Sequence, residues 1–364
     1  MVEILSAIAD TRQVEGRGAR SNASSRYHRK NYVSLNDGWS NGGEPPPPIK
    51  TEVISDISRT IITRNNSPDI SFNQSINPYR GCEHGCVYCF ARPTHAYLGL
   101  SPGLDFESKL FAKPDAAKLL RTELQKPAYV PQAIAIGTNT DPYQPIEREY
   151  RIMRSVLKVL TEFNHPVGIV TKSSLITRDI DLLAPMAKAG LLKVALSVTT
   201  LDRKLARAME PRAATPTKRL ETISRLSQAG IPVGVMTAPI IPALNDEELE
   251  SILSKARDAG ATEAGYVLLR LPLEIKDLFT EWLDKHVPDK SNHVLSLIRN
   301  MRGGKEYDAN WGGRMRGNGP YAKLIAQRFH LATRRLGLNR KRLELDTRKF
   351  CRPKMTTNQL ALAL

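Results

Sequence analysis

The chain has 364 residues and a formal net charge of +16, with 41% hydrophobic and 25% charged residues, as is usual for a globular protein. Four cysteines in this length exclude a disulfide scaffold, and no apolar run approaches the roughly 20 residues that span a bilayer. The start, MVEILSAIAD, contains two acids and no basic flank, so it is a poor signal peptide. We therefore expect a cytoplasmic protein without membrane association, in a reducing compartment where clustered thiols more often bind metal than each other.

The first 50 residues contain few apolar side chains and many glycines, serines and arginines, which predicts a disordered N-terminal segment. The run Pro45–Pro48 is typical of a polyproline II linker. The pattern changes at Thr51, and residues 52–64 predict a strand or hairpin that leads into the folded core.

Three of the four cysteines, Cys82, Cys86 and Cys89, follow the spacing C-x3-C-x2-C in one short loop. Thiolates are soft ligands that suit zinc or iron–sulfur clusters. The loop contains no fourth cysteine, so a cubane cluster bound here would keep one iron open for another ligand.

A structural zinc site is the alternative to this cluster. It would need a fourth protein ligand, for which His84, His95 or Cys351 could in principle serve. The position of the loop before an α/β barrel, and the aromatic Tyr88 just before the last cysteine of the loop, favour the open cluster.

After the cysteine loop, stretches with helical spacing alternate with short apolar runs. This order predicts βαβ units and a parallel sheet that is covered on both faces. About six such units indicate a partial (β/α)6 barrel rather than a closed barrel of eight. The predicted strands are 132–137, 165–173, 192–200, 231–242 and 263–272, and the predicted helices are 114–124, 147–163, 178–190, 216–230 and 246–260.

The predicted strands become polar only near their C-terminal ends, where parallel barrels place their functional site. Thr140 and Asp141 follow one strand, Lys172 and Ser173 end the next, and Ser197 lies near the end of the third. Strand ends meet polar loops in any protein, but a lysine directly after an apolar strand is harder to explain in that way.

The C-terminal third is strongly basic, with 16 lysines and arginines against four acids between Arg299 and Lys354. Such a local excess attracts polyanions and predicts contact with nucleic acid, whereas a basic face that only aids solubility is the alternative. Helical spacing over 273–286, 291–301 and 320–337 predicts a helical extension. The glycine-rich loop 302–320 contains Tyr307 and Trp311, which suit either base stacking or packing over the barrel mouth.

The motif C-x3-C-x-aromatic-C before a βα barrel resembles that of the radical S-adenosylmethionine (SAM) superfamily. The sequence over about residues 50–350, including INPYRGCEHGCVYCFARP, is similar to its spore photoproduct lyase branch. The resemblance implies a [4Fe–4S] cluster on Cys82, Cys86 and Cys89, whose open iron binds SAM. It also implies reductive cleavage of SAM to a 5′-deoxyadenosyl radical that abstracts hydrogen from a substrate, with electrons from an external donor such as flavodoxin or ferredoxin.

The resemblance further implies which residues contact SAM. The superfamily's Gly-Gly-Glu is missing, and Thr140 and Asp141 stand in that region. Asp141 offers an acceptor for the ammonium group of SAM, and Lys172 offers a donor for its carboxylate. The implied contacts are Tyr88 beside the adenine, Thr140, Asp141, Lys172, Ser173 and Ser197.

Arg212 is a further candidate for contact with SAM or a phosphate. The alternative is a salt bridge from Arg212 to Glu210 or Asp202.

Two residues depart from the lyase. Thr138 stands where the lyase has a hydrogen-donating cysteine, and Phe90 where it has a tyrosine. We therefore expect the same radical but another substrate, a nucleic-acid component in DNA repair or modification; the catalytic residues that act on that substrate are not predicted. The alternatives are a radical enzyme that acts on RNA or protein, and a metal-stabilised nucleic-acid-binding adaptor without radical chemistry.

The predicted boundaries are a disordered segment over 1–50, the barrel over 51–270, the basic helical extension over 271–350 and a flexible tail over 351–364. The last residues, Gln359–Leu364 (QLALAL), resemble peptides with which bacterial proteins dock on the replication sliding clamp. We expect clamp binding through this motif.

Overall fold

The computed structural model describes residues 16–28 and 48–353. Ten strands form two sheets in this part of the chain. The strands are β1 (Glu52–Ser55), β2 (Ile62–Arg64), β3 (Gln74–Ile76), β4 (Tyr79–Arg80), β5 (Lys109–Ala112), β6 (Ile134–Ile136), β7 (Val167–Thr171), β8 (Leu192–Ser197), β9 (Val233–Ile240) and β10 (Glu263–Leu268).

The larger sheet has the strand order β10-β9-β8-β7-β6-β3-β2. The six strands from β3 to β10 in this order run parallel, and β2 is antiparallel to β3. This confirms the predicted partial barrel with six parallel strands. Pairing keeps the C-terminal ends together, since Thr171 of β7 lies opposite Leu196 of β8 and Ser197 lies opposite Met236 of β9.

The smaller sheet has the order β1-β5-β4. Its strand β4 directly precedes the cysteine loop in the chain. Residues 52–64, which were predicted to be a strand or hairpin, instead provide one strand to each sheet, because β1 pairs with β5 and β2 pairs with β3.

The helices cover the sheet as the alternating pattern predicts. They are α1 (Asp105–Ser108), α2 (Ala116–Gln125), α3 (Glu147–Tyr150), α4 (Ile152–Glu162), α5 (Ile180–Lys188), α6 (Arg203–Met209), α7 (Pro216–Gln228), α8 (Leu249–Asp258), α9 (Ile275–His286), α10 (Pro288–Asn300), α11 (Gly313–Arg316) and α12 (Gly319–Leu336). The helix predicted over 147–163 is broken at Arg151, whose φ of 50° separates α3 from α4. The three helices predicted in the extension correspond to α9, α10 and α12.

Residues 16–28 depart from the disorder that was predicted for the first 50 residues. Arg17, Gly18 and Ala19 are buried. The carboxylate of Glu107 accepts hydrogen bonds of 2.8 Å from the N–H groups of both Gly18 and Ala19. Low apolar content did not prevent order here, because hydrogen bonds to a buried charged group hold the segment.

The segment 301–318, which contains α11, connects the two edges of the large sheet. The Arg316 guanidinium lies 4.0 Å from the centre of the Tyr266 ring on β10. Arg314 donates to both carboxylate oxygens of Asp69, in the connection between β2 and β3. Packing against the barrel is therefore the observed arrangement of this loop.

The C-terminal residues 338–353 run along the opposite end of the barrel. The Leu343 N–H donates to Glu263 at the start of β10 (2.8 Å), and the Cys351 N–H donates to the Phe163 carbonyl before β7 (3.0 Å). The basic residues between Arg299 and Lys354 thus do not form one patch. Part of them lies on 299–316 near the C-terminal ends of the strands, and the cations of 340–352 lie near the N-terminal ends.

No helix in the described residues combines the length and apolar character needed to cross a membrane. The motif Gln359–Leu364 lies outside the described residues, as do 1–15 and 29–47.

Candidate cofactor-binding site

The cysteine loop follows β4 and is folded tightly. Cys82 and Cys86 are buried, and Cys89 is partly buried. Gly85 has a φ of 66°, and a Cβ atom there would come within 2.6 Å of the Glu107 carboxylate. Only glycine suits such a position, because the left-handed conformation and the close contact both exclude a side chain.

The buried ion pair between Arg92 and Glu107 holds the backbone of the cysteine loop. Arg92 is fully buried and donates from Nε to the Cys86 carbonyl (2.9 Å) and from Nη2 to the Gly85 carbonyl (3.1 Å). Its partner is the fully buried carboxylate of Glu107, which also binds the segment 16–19. The pair thereby fixes the backbone carbonyls of Gly85 and Cys86, in the middle of the cysteine loop.

The three loop thiols share an environment that opposes ionisation. Burial raises the pKa of Cys86 to about 12. Burial, together with the negative charge of Asp141, raises the pKa of Cys82 well above its usual value, and burial also raises the pKa of Cys89. Without a cation the thiols are protonated at neutral pH, whereas bound metal ionises them. All four cysteines of the chain are free thiols.

Among the described residues, no three Cys, His, Asp or Glu side chains converge on a position for a single metal ion. Three thiols in one loop without a fourth cysteine suit a cluster in which each thiolate binds a separate iron. Two suggested zinc ligands are also engaged elsewhere. His95 Nε2 lies 2.9 Å from the Lys109 carbonyl, and Cys351 Sγ accepts a hydrogen bond from Asn164 near the N-terminal end of β7.

Asp141 lies beside this loop and is held by three hydrogen-bond donors, with a histidine close by. Its carboxylate accepts from Thr171 Oγ1 (2.7 Å), the Lys172 N–H (2.8 Å) and the Tyr143 N–H (2.9 Å). His84 Nδ1 lies 3.4 Å away, and burial lowers the pKa of His84. Most of the acceptor positions of the Asp141 carboxylate are thus occupied by donors of the protein itself.

Two other predicted SAM contacts make local bonds. The Thr140 hydroxyl donates to the Tyr79 carbonyl (2.8 Å). Ser173 Oγ accepts from the Leu175 N–H (3.2 Å) and caps the 3₁₀ turn Ser174–Asp179. Both hydroxyls lie at the mouth, but the contacts observed for them fix the loops.

Lys172 faces Tyr88, with its Nζ 5.8 Å from the centre of the aromatic ring. The Tyr88 hydroxyl donates to the buried carboxylate of Glu210. Burial lowers the pKa of Lys172, but attraction to Cys86 in its ionised form and to the carboxylate of Glu210 outweighs this effect and raises the pKa above its usual value. The side chain is therefore an ammonium ion at neutral pH.

Glu210 is the centre of a second buried charge cluster. It pairs with Arg219, which also donates to the Ser197 carbonyl (3.0 Å), and accepts from Thr199 Oγ1 (2.7 Å). Burial raises the pKa of Glu210, but Arg219 and Lys172 outweigh it and lower the pKa to about 2. This cluster places the end of β8, including Ser197, against Tyr88.

Arg212 pairs with neither of the acids suggested from the sequence. Its Nη1 lies 2.8 Å from Glu83, inside the cysteine loop. Asp202 instead caps α6 by accepting from the Lys204 N–H (2.7 Å). Arg212 thus fastens the segment after α6 to the cysteine loop.

The structure adds three residues that the sequence did not suggest, Arg92, Glu107 and Arg219, and pairs Glu210 with Arg219 instead of Arg212. The sequence contains a signal for Arg219, which lies on the same face of α7 as the buried residues Ile223 and Leu226. A charged residue in the apolar stripe of a helix needs a buried partner.

Comparisons with known proteins agree with this geometry. Residues 76–256 match the model of the radical SAM superfamily. The uncharacterized protein Rv2578c of Mycobacterium tuberculosis is 38% identical over 236 residues, which cover 64% of this chain and 69% of the relative. The chain belongs to the radical SAM superfamily.

A second relative and the solved structures extend the comparison of this radical SAM protein. The uncharacterized protein MJ0683 of Methanocaldococcus jannaschii is 27% identical over 258 residues, covering 71% of this chain and 91% of the relative. Spore photoproduct lyase complexed with dinucleoside spore photoproduct shares the fold, with a TM-score of 0.56, 16% identity and coverage of 79% and 80% of the two chains.

Radical SAM proteins use a [4Fe–4S] cluster and SAM, and the residues described above fit both. Cys82, Cys86 and Cys89 lie in one loop, and the ammonium group of Lys172, which forms no ion pair in the described residues, faces Tyr88 of the same loop. This chain is therefore an enzyme of the radical SAM class.

Proposed function

We propose that this radical SAM enzyme abstracts a hydrogen atom from a nucleic-acid component, in DNA repair or modification. The observation that carries the proposal is the cationic surface around the mouth of the barrel, with the buried Arg302 beneath it. Arg270, Arg302 and Lys305 lie on the segments that follow β10 and α10, and no ion pair joins any of them to an acid in the described residues. A phosphate backbone is the polyanion that such a surface attracts.

When bound, the cluster and SAM supply a 5′-deoxyadenosyl radical that can abstract hydrogen. The chain's own residues arrange the reactants. We propose that Cys82, Cys86 and Cys89 hold the cluster and that the ammonium group of Lys172 binds the carboxylate of SAM. Tyr88, fixed by Glu210, would border the adenine of SAM, and Ser197 at the end of β8 would lie on the same side of the site.

Asp141 takes a more limited role in this proposal. Because three protein donors already occupy its carboxylate, it offers the SAM ammonium group one remaining acceptor direction and acts mainly through its charge. Thr140 and Ser173 shape the loops that carry Asp141 and Lys172.

The fold shared with spore photoproduct lyase, which has been solved with a dinucleoside substrate, also supports a nucleic-acid substrate. Two residues of this chain are inconsistent with the reaction of spore photoproduct lyase. Phe90 and Thr138, at the positions where the sequence comparison places the lyase's tyrosine and cysteine, carry neither a phenol nor a thiol. We therefore infer a different product from a related class of substrate.

Label transfer tests the proposal. Anaerobically reconstituted protein would be incubated with SAM, dithionite and oligonucleotides deuterated on sugar or base, followed by mass spectrometry of the 5′-deoxyadenosine. Deuterium in 5′-deoxyadenosine from DNA supports the proposal, and label from RNA alone points to the RNA alternative. Unlabelled 5′-deoxyadenosine with every deuterated nucleic acid, but label with a deuterated protein lysate, would contradict it in favour of a protein substrate.

A further inference from the structure

Arg270 occupies an unusual position among the arginines of the mouth. It follows β10 by two residues, and its guanidinium lies 4.9 Å from the centre of the Phe90 ring. Phe90 directly follows Cys89, so Arg270 contacts the residue next to a cysteine of the cluster loop. The arginine is thereby placed at the edge of the candidate cofactor site.

The contacts of Arg270 leave its charge without a counterion. Nη2 donates to the Tyr307 hydroxyl (3.3 Å), and Nη1 lies 3.7 Å from the Met315 sulfur. Nε is buried and has no hydrogen-bond partner in the described residues. All these neighbours are neutral, which is costly for a partly buried cation unless an anion comes from outside.

A second arginine adds to this excess of positive charge. Arg302 is buried and donates to the carbonyls of Gly313 (2.6 Å) and Leu269 (2.9 Å), while its Nε has no partner in the described part of the chain. Burial, and then the positive charge of Arg270, lowers the pKa of Arg302. Because Arg302 donates to the carbonyl of Leu269, the residue directly before Arg270, the two arginines are neighbours.

The neighbouring arginines differ in this respect. Arg299 lies 3.0 Å from Glu306, and Arg314 donates to both oxygens of Asp69. Arg270 and Arg302 thus differ from these two paired arginines, as do Lys305 and Arg316, which also form no ion pair in the described residues.

We propose that Arg270, with Arg302 behind it, binds a phosphate group of the substrate at the mouth of the barrel. A guanidinium fork matches the geometry of phosphate oxygens, and no acid of the described residues neutralises the charge of this one. The Phe90 ring is 43% exposed and flanks the site, which suits a base stacked next to the bound phosphate. This inference rests on the proposed function and names the group through which a nucleotide substrate is held beside the cofactors.

The test uses the reconstituted full-length protein and a fluorescent single-stranded oligonucleotide, titrated at several salt concentrations. Arg270→Gln should weaken binding about ten-fold and reduce the slope of log K against log salt by about one, and Arg270→Lys should recover only part of the affinity. The matched control is Arg348→Gln. It removes the same charge from a side chain that is 90% exposed on the segment at the other end of the barrel, and it should change the affinity less than two-fold.

Inorganic pyrophosphate, titrated by calorimetry into the same variants, separates this inference from the proposed function. Oligonucleotide binding that is equal in Arg270→Gln and Arg348→Gln would overturn the phosphate site and leave the proposed function standing. Pyrophosphate binding that depends on Arg270, without any oligonucleotide binding, would support the anion site and contradict the nucleic-acid substrate. Circular dichroism and iron content would show that each variant is folded, and pyrophosphate binding unaffected by Arg270→Gln would overturn the inference by itself.

Discussion

The ammonium group of Lys172 lies 5.8 Å from the centre of the Tyr88 ring. Lys172 directly follows β7, and Tyr88 directly precedes Cys89 of the cluster loop. No described residue forms an ion pair or side-chain hydrogen bond with this ammonium group. The acids that raise its pKa act on it from a distance. A free cation beside the cluster loop is what a carboxylate-bearing cofactor requires.

Replacing Lys172 should therefore impair SAM binding more than cluster assembly. Lys172→Met should raise the dissociation constant for SAM at least ten-fold, measured by calorimetry on the reconstituted protein, while the iron content stays at the wild-type value. Lys193→Met is the control, because Lys193 is a partly exposed lysine on β8 that lies 3.9 Å from Glu263. Equal SAM affinity in the two variants would contradict the role given to Lys172.

The buried pair Arg92–Glu107 should matter far more for stability than an exposed pair of the same type. Glu107→Gln leaves the Arg92 guanidinium buried without its counterion, which costs about 3–5 kcal/mol. The free energy of unfolding in urea and the iron content should both fall. Glu162→Gln breaks the pair with Arg121, in which both side chains are 45% exposed, and should cost less than about 1 kcal/mol. Similar losses in the two variants would be incompatible with this account of the loop.

His165 should make stability depend on pH in a defined window. It is buried, with Nε2 2.7 Å from the Tyr129 hydroxyl and Nδ1 3.0 Å from the Pro166 carbonyl, and burial lowers its pKa from 6.5 to about 4. The unfolded chain binds a proton below pH 6.5 while the folded chain does not. Stability should therefore fall by about 3 kcal/mol as the pH decreases from 6.5 to 4.

Unfolding of His165→Gln at several pH values measures this contribution. The variant is destabilised at neutral pH, but its stability should decline less than that of the wild type between pH 6.5 and 4. His293→Gln alters an exposed histidine and should keep the slope of the wild type. A slope that is unchanged in His165→Gln would exclude His165 as its origin.

Much of the fold follows from the sequence, because apolar strands and helices alternate strictly between β6 and α8. The cluster loop was also predictable from the spacing of Cys82, Cys86 and Cys89. The contacts of Glu107 with Gly18 and of Glu210 with Tyr88 were not, because the two residues of each pair lie 89 and 122 positions apart in the chain and share no local pattern. The division of the basic residues between both ends of the barrel likewise depends on where the chain runs after α12.

The C-terminal motif gives a prediction that is independent of catalysis. If Gln359–Leu364 docks in an apolar groove of a bacterial sliding clamp, Gln359→Ala and Leu362→Ala should each reduce clamp recovery in a pull-down with purified proteins at least five-fold. Asn358→Ala, just outside the motif, should recover as much clamp as the wild type. Equal recovery with all three variants would remove the clamp as a partner.

In the proposed mechanism, three thiolates hold a cluster with one iron left open for SAM. Iron, acid-labile sulfide and zinc should be measured on anaerobically purified protein, together with 5′-deoxyadenosine formed after addition of SAM and dithionite. We predict about four irons and four sulfides per chain, formation of 5′-deoxyadenosine, and loss of both in Cys86→Ala but not in Cys351→Ala. One zinc per chain without sulfide, or 5′-deoxyadenosine formation that survives in Cys86→Ala, would contradict the account.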